Sequence, residues 1–157
     1  MIIPDWFKDN FVDIEQLMID LFGKVFPGTK MGIWEDDDWL DQSDPEPLLT
    51  FIRLPGGHVD YEKNYDECLI QATVITTDRT LSNKAMSVIR AVLLPIEGLK
   101  FKMNDGYTAQ IHCAEEVSGP ELLTHEQQID TRVVPATFRI RVGLRNRTRY
   151  DQIISGL

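Results

Sequence analysis

The densest group of potential metal ligands in the sequence is a run of carboxylates between two tryptophans. The run consists of Glu35, Asp36, Asp37 and Asp38. Carboxylate oxygens bind calcium and magnesium, but a calcium loop also needs a glycine at its bend and a bidentate glutamate at a fixed interval, and this run has neither. The pattern therefore favours a solvated acidic loop, and the alternative is a charged surface that meets a basic partner or repels DNA.

Histidine and cysteine side chains are spread along the chain instead of being grouped. His58, His112 and His125 lack the i, i+4 spacing with which a helix binds zinc. His112 and Cys113 are neighbours in a predicted strand, so their side chains point to opposite faces. Cys68 and Cys113 belong to no C-x-x-C motif, and both are predicted to be buried free thiols.

Motifs for nucleotide binding and nucleophilic catalysis are absent from the sequence. It contains no G-x-S-x-G, no Walker loop and no G-x-G-x-x-G. The sequence identifies no partner for the carboxylates of Asp66 and Glu67, so acid–base hydrolysis is not supported. We therefore predict no catalytic residue, no cofactor and no bound metal.

The last predicted strand, residues 134–145, alternates between apolar and basic side chains. One set points towards a core and consists of Phe138, Ile140, Val142 and Leu144. The other set points away and consists of Arg139, Arg141 and Arg145. This alternation requires one buried face and one charged face. The outward arginines either contact phosphate or acidic side chains, or keep the strand soluble, and the pattern leaves both interpretations open.

Charge is distributed unevenly along the chain. The net charge is −9, which argues against a protein that binds nucleic acid through its whole surface. Residues 35–46 include many acids and no basic residue, whereas residues 132–149 include arginines and no acid. Opposite charges in separate segments favour head-to-tail contact between like subunits, or contact with a charged partner.

The 157 residues are predicted to form one domain over residues 1–157. Periodicity and turn residues predict helices, capped in part by Asp13 and by Asp78 or Ser82, and strands. In chain order they are helix 13–26, strands 29–34, 48–54 and 67–77, helix 79–94, and strands 99–103, 108–117 and 134–145. This order predicts an α+β fold, a mainly antiparallel mixed sheet with two helices packed on one face. No apolar run reaches the roughly 20 residues of a membrane span, so no membrane contact is expected.

Two segments fall outside these predicted elements. Pro55-Gly56-Gly57 is expected to break the second strand, so that residues 55–64 form a long loop or loose hairpin. The C-terminal tail, residues 146–157, carries Ile153, Ile154 and Leu157 with little nearby to bury them. The tail is therefore predicted either to dock on a neighbouring subunit or to be disordered.

The order of elements resembles the tail terminator (tail completion, or tail-to-head joining) proteins of long-tailed bacteriophages. The resemblance covers residues 10–145 and rests on a pattern of elements more than on single residues. It runs from the amphipathic helix 14–25 through the acidic stretch to the strand pair 48–53 and 68–74. It continues with a Thr-Asp step into the second helix and ends on the arginine-bearing strand 138–142.

This resemblance implies a structural virion protein without enzymatic activity. Family members form a six-membered ring that caps the tail tube and docks to the connector under the capsid. The expected partners are therefore copies of the same chain, the tail tube protein and head–tail connector proteins, with DNA passing through the ring without sequence-specific binding. The expected location is the head-proximal end of the phage tail, after synthesis in the host cytoplasm. Residues 55–64 correspond to a loop that orders only when subunits meet.

The sequence also offers two candidate surfaces for contacts with other molecules and two alternative functions. The candidate subunit interface consists of His58, Tyr61, Arg139, Arg141 and Arg145, and the candidate acidic surface is the run 35–38. One alternative function is a head-side neck or connector protein. The other is a small metal-dependent hydrolase that uses the acidic loop 35–44.

Overall fold

The computed structural model of the chain describes residues 1–34, 39–120 and 133–157. Within these ranges it contains a short 3-10 turn at Trp39–Asp41, six strands and three α-helices. In chain order the elements are α1 (Ile14–Val25), β1 (Lys30–Gly32), β2 (Leu48–Asp60), β3 (Tyr65–Ile75), α2 (Arg79–Leu93), β4 (Glu97–Lys102), β5 (Thr108–Ser118), β6 (Val133–Gly143) and α3 (Tyr150–Ser155).

The six strands form one mixed sheet in the order β1-β2-β3-β6-β5-β4. Only the short β1–β2 pair is parallel, and all other neighbours are antiparallel. In the centre of the sheet, Cys68 lies opposite Ile140 and Ile70 lies opposite Phe138. These buried residues share one face because side chains alternate along a strand.

Both long helices cover that same face of the sheet. Their buried side chains belong to one apolar cluster together with the inward residues of the strands. From α1 the fully buried members include Leu17, Met18 and Phe22, and from α2 they are Met86, Ile89 and Leu93. The predicted α+β fold with two helices on one face is therefore confirmed.

Aspartates begin both long helices by accepting hydrogen bonds from free backbone N–H groups. The Asp13 carboxylate accepts from the N–H of Gln16 at 3.1 Å. The Asp78 carboxylate accepts from the N–H groups of Thr80 at 3.1 Å and Leu81 at 3.3 Å. The structure thus selects Asp78 over Ser82 as the cap of α2.

The buried face of α2 is narrower than its apolar pattern. The sequence predicts an apolar face made of Leu81, Ala85, Val88 and Val92 together with the adjoining row Met86, Ile89 and Leu93. The adjoining row is fully buried, whereas Leu81 and Val88 are exposed. The buried row begins at Ser82. The Ser82 hydroxyl lies 2.8 Å from the Thr76 hydroxyl at the end of β3, and this contact turns the first turn of α2 so that Leu81 faces outward.

The expected break of the second strand at Pro55-Gly56-Gly57 is wrong, and residues 55–64 form the hairpin between β2 and β3 and not the long loop. That this segment orders only when subunits meet stays a prediction. Strand β2 continues through Pro55, Gly56 and Gly57 to Asp60, with a shift in register between Leu54 and His58. Proline is tolerated because β1 pairs with the first three residues of β2, and no other strand among the described residues pairs with that side of β2 at Pro55. Gly56 and Gly57 adopt φ values of +123° and +80°, which other residues avoid and which a bulge can use.

The C-terminal tail is ordered within its own chain as α3. The Tyr150 ring stacks on Phe7 with centroids 5.7 Å apart and lies 5.8 Å from Trp6. Its hydroxyl accepts from the Lys8 N–H at 2.8 Å and donates to the Lys8 carbonyl oxygen. The N-terminal and C-terminal segments therefore pack together, and docking of the tail on a neighbouring subunit stays a prediction. In the described parts of the chain, no helix has the length and apolar character needed to cross a bilayer.

The two cysteines are free and lie on opposite faces of the sheet. Cys68 is buried in the core, whereas Cys113 is half-buried beside Arg141 on the other face. Burial, together with the negative charge of Asp66, raises the pKa of the Cys68 thiol to about 12.

A thiol reagent at pH 8 is therefore expected to label Cys113 in the native protein and to leave Cys68 unmodified, because only the thiolate reacts. Peptide mass mapping before and after unfolding in guanidinium checks this. Labelling of Cys68 at the rate of Cys113 in the native protein would contradict the structure.

Candidate functional site

The sheet face opposite the helices carries the charged side chains of β3 and β6. The predicted alternation in β6 is confirmed, since Phe138, Ile140 and Val142 are buried. Arg139 and Arg141 point to the other face and are each about 40% exposed. This face is the candidate functional surface because it combines ordered charge with access to solvent.

A nearly buried carboxylate organises this face. Glu67 accepts a hydrogen bond from Arg141 Nε at 2.7 Å, and Arg139 Nε and His58 Nδ1 each lie 3.5 Å from its other oxygen. We call these four residues the Glu67 cluster. Three of the five residues predicted for the subunit interface thus converge on a single carboxylate within one chain.

Strand pairing explains the Glu67 cluster. Glu67 lies opposite His58 on β2 and opposite Arg141 on β6, so the carboxylate sits between two neighbouring strands. Its hydrogen bond holds the pKa of the Arg141 guanidinium above its ordinary value. The sequence left Glu67 without a partner because residues 58, 67 and 141 become neighbours only once the register is known.

Contacts with other strands extend the Glu67 cluster across the sheet. Arg141 lies over the Tyr65 ring at 5.1 Å from its centroid, a cation–π geometry. The Tyr65 hydroxyl lies 3.5 Å from His58 Nε2. On the other side, Arg139 is 3.5 Å from an oxygen of Glu115 on β5. The network therefore connects β2, β3, β6 and β5 and fixes the direction of the arginines.

The other two predicted interface residues lie outside this cluster. Arg145 follows the end of β6, donates to Asp105 at 3.0 Å and lies over the Tyr107 ring at 4.6 Å. The Tyr107 N–H, and then Arg145, hold the pKa of Asp105 below its ordinary value. Tyr61 has an exposed ring in the turn after β2, and its carbonyl oxygen accepts from Arg147.

Of the other charged residues considered in the sequence, some belong to the described part of the chain and some lie outside it. Asp66 is buried and pairs with both terminal nitrogens of Arg53 at 3.2 Å. The candidate acidic surface, residues 35–38, lies outside the described residues, as does His125. Among the residues that the structure describes, no group of three or more histidine, cysteine or acidic side chains is placed to hold a metal ion.

The arrangement of the Glu67 cluster can stabilise the sheet and can contact charged groups of another molecule. Its carboxylate already faces three cationic or ionisable groups, and those groups are directed by their own contacts. Half-exposed arginines held in fixed directions can pair with carboxylates or phosphates of another molecule. The chemistry offered by this face is therefore electrostatic contact.

Replacing Glu67 with glutamine is expected to lower the free energy of unfolding by about 1–2 kcal/mol. The loss is limited because both arginines reach solvent and are partly screened. Urea denaturation checks the value. Glu115→Gln is the matched control, since that carboxylate is mostly exposed and lies 3.5 Å from Arg139. Equal losses in the two variants would contradict the central position of Glu67.

Fold and site together define a small α+β protein. Its candidate functional surface, within the described residues, is the charged sheet face opposite the helices. The chain belongs to a phage tail family: the family model described as phage tail termination protein matches residues 10–148. The resemblance noted in the sequence is thereby confirmed. The protein has a structural role in the phage tail, is located in the tail of the virion and interacts with tail components. No curated protein matches the chain.

Proposed function

We propose that this protein is the ring-forming terminator of its phage tail, which caps the tail tube at the head-proximal end and joins it to the head connector. The observation that carries this proposal is the match to the tail termination family across residues 10–148, from before α1 to beyond β6. The ring is proposed to contain six copies, and the protein to act without catalysis after synthesis in the host cytoplasm.

The distribution of charge supports a ring. Arg145, Arg147 and Arg149 follow β6, whose last residue lies opposite the first residue of β3. Asp44 and Glu46 precede β2, whose first residue lies opposite the last residue of β3. Because β3 has eleven residues, these two ends are roughly 33 Å apart at about 3.3 Å per residue. Unlike ends favour a heterologous contact, which produces a ring when its rotation closes.

DNA passage is the second part of the proposal. A net charge of −9 disfavours adhesion of the genome to the protein through electrostatic attraction. We propose that an acidic channel lining repels the DNA backbone. DNA would then pass through the ring without sequence-specific binding.

The interface is proposed to include His58, Tyr61, Arg139, Arg141 and Arg145. Support comes from the half-exposed guanidinium groups and the exposed Tyr61 ring, which remain accessible beside their contacts within the chain. The Glu67 cluster would orient two of these arginines towards acidic groups of the adjacent subunit.

Reversing the charge at Arg139, Arg141 and Arg145 to glutamate is expected to abolish ring formation. Three attractive contacts would become repulsive, and like charges across an interface oppose association. Light scattering measures the assembly, and circular dichroism establishes that the variant is folded. A folded triple variant that assembles like the wild type would remove these arginines from the interface.

Binding to isolated phage substructures tests the proposed function directly. The purified protein is mixed with tail tubes and, separately, with portal complexes, and binding is measured by co-sedimentation and electron microscopy. A terminator is expected to bind one end of the tail tube. Binding to the portal complex alone would instead support a head-side neck or connector protein.

A further inference from the structure

An apolar groove opens at the end of the sheet where β2 begins. Its volume is about 160 Å³. The lining comes from the end of α1, the start of β2, the end of β3 and the start of α2. It includes Phe26, Pro47, Leu48, Val74, Leu81 and Ala85. Leu81, the residue that α2 turns outward, is 47% exposed and forms part of the groove wall.

An exposed apolar stripe lies on the C-terminal segment. Tyr150, Ile153, Ile154 and Leu157 follow helical i, i+3, i+4, i+7 spacing. The Leu157 N–H donates to the Ile154 carbonyl at 3.2 Å, so the last turn extends to the final residue. Tyr150 packs on the N-terminal segment, but Ile154 is 60% and Leu157 is 84% exposed. This stripe lies beyond residue 148, where the family match ends.

The tail cannot fill the groove of its own chain. It is anchored at the other end of the sheet, where the Arg145 N–H donates to the Asn10 carbonyl at 2.9 Å and Arg147 donates to the Tyr61 carbonyl. The groove lies at the opposite end of β3, roughly 33 Å away at about 3.3 Å per residue. Contact between the stripe and the groove therefore requires a second copy of the chain.

Charges next to the two features are complementary. Exposed Asp41, Asp44 and Glu46 precede the groove residue Pro47. On α2, Asp78 at the helix cap adds a further acid, and Arg79 and Lys84 are the bases of the first turns. Lys30 on β1 lies opposite the groove residue Leu48 and is a third base. Four acids against three bases leave a small acidic excess at this end.

At the tail end, the segment that leads into the stripe contains Arg145, Arg147 and Arg149. Arg145 pairs with Asp105 and Arg149 with Asp151, whereas the Arg147 guanidinium donates to a neutral carbonyl oxygen. The tail segment itself, residues 145–157, carries three arginines and one acid, Asp151. This basic segment complements the acidic groove end of another copy.

We infer that the C-terminal stripe of each subunit docks into the groove of the next subunit, with Leu157 and Ile154 against Leu81. This inference rests on the proposed function, because it names the contact that links the ring. Each subunit offers one tail and one groove at opposite ends, so the contact is heterologous and repeats until the ring closes. The basic tail segment and the acidic groove end set the orientation of this contact.

Complementation between two variants tests the docking. Leu157→Glu disables the tail, and Leu81→Glu disables the groove. Both positions are exposed, so neither change is expected to unfold the subunit. Val117→Glu on β5 is the matched control, since Val117 is 48% exposed, close to the value for Leu81. Masses are measured by light scattering for each variant alone and for an equimolar mixture.

Each disabled variant alone is expected to be a monomer of 18.0 kDa, and the control is expected to form rings. The mixture is expected to form dimers, because one good tail then meets one good groove and the chain cannot extend further. Rings formed by either single variant, loss of rings only in the control, or a monomeric mixture beside wild-type rings would overturn the docking.

Disulfide trapping separates failure of the docking from failure of the ring. Leu81→Cys and Leu157→Cys are combined in a Cys113→Ser background and oxidised at high protein concentration. Covalent multimers linked between residues 81 and 157 are expected. A wild-type protein that forms no ring, even on tail tubes, would overturn the proposed function. Absence of the trapped link would overturn the docking whatever the state of the ring.

Discussion

Replacing Gly57 with alanine is expected to lower the free energy of unfolding by about 3 kcal/mol or more, an unusually large loss for adding one methyl group. A Cβ at this position would lie 1.9 Å from the Glu67 carbonyl oxygen. The φ of +80° at Gly57 adds a further cost of about 1–2 kcal/mol for an L-residue. The clash is with the backbone of β3, so it cannot be relieved by rotating a side chain.

Urea denaturation measures the effect, and Gly106→Ala is the matched control. Gly106 also has a positive φ, +91°, but an added Cβ would meet nothing within 4 Å. The control is therefore expected to lose only about 1 kcal/mol. Equal losses in the two variants would show that the bulge of β2 does not approach β3 as the structure describes. A large loss at Gly57 would establish the continuous β2 strand.

Phe51→Ala is expected to lower the free energy of unfolding by about 4 kcal/mol. Phe51 is fully buried, and its ring stacks on Phe22 with centroids 5.2 Å apart. This pair joins α1 to the first part of β2. Its loss would leave a cavity between the helix and the sheet, and packed interiors collapse only partly around such cavities.

Phe26→Ala provides the comparison for Phe51→Ala within the same aromatic group. Phe26 also stacks on Phe22, with centroids 6.4 Å apart, but is only partly buried. Its replacement is expected to cost about 1–2 kcal/mol, since less apolar surface leaves the core. Guanidinium unfolding followed by circular dichroism compares the variants. A Phe51→Ala loss no greater than that of Phe26→Ala would contradict the packing of α1 on β2.

The elements that sequence predicted best are those whose signals are local. The alternation of Phe138, Arg139, Ile140 and Arg141 depends only on period-two geometry, and the structure confirms it. The Asp13 cap depends on one side chain and the N–H three residues later. The turn between β4 and β5 depends on a glycine at positive φ. Each of these signals is complete within a few residues.

The features that sequence missed depend on contacts between distant residues. Pro55-Gly56-Gly57 signals a loop, but the open edge of β2 accepts proline and β3 accepts the close approach of Gly57. The exposure of Leu81 on α2 was not predicted, because a contact between the hydroxyls of Ser82 and Thr76 positions the first turn of the helix.

The Glu67 cluster illustrates the same limit for the candidate site. The basic face of β6 was predicted, but the carboxylate that orients it was not. Glu67 precedes Arg141 by 74 residues, and only the pairing of β3 with β6 brings them together. Sequence therefore predicted the arginines of this face, and the fold determines the carboxylate with which they pair.

Ring formation is tested by the mass of the purified protein, measured by light scattering after gel filtration and accompanied by electron microscopy with and without tail tubes. We expect a closed ring of about six 18.0 kDa subunits, in solution or at one end of the tube. A protein that remains a single subunit in both conditions would contradict it.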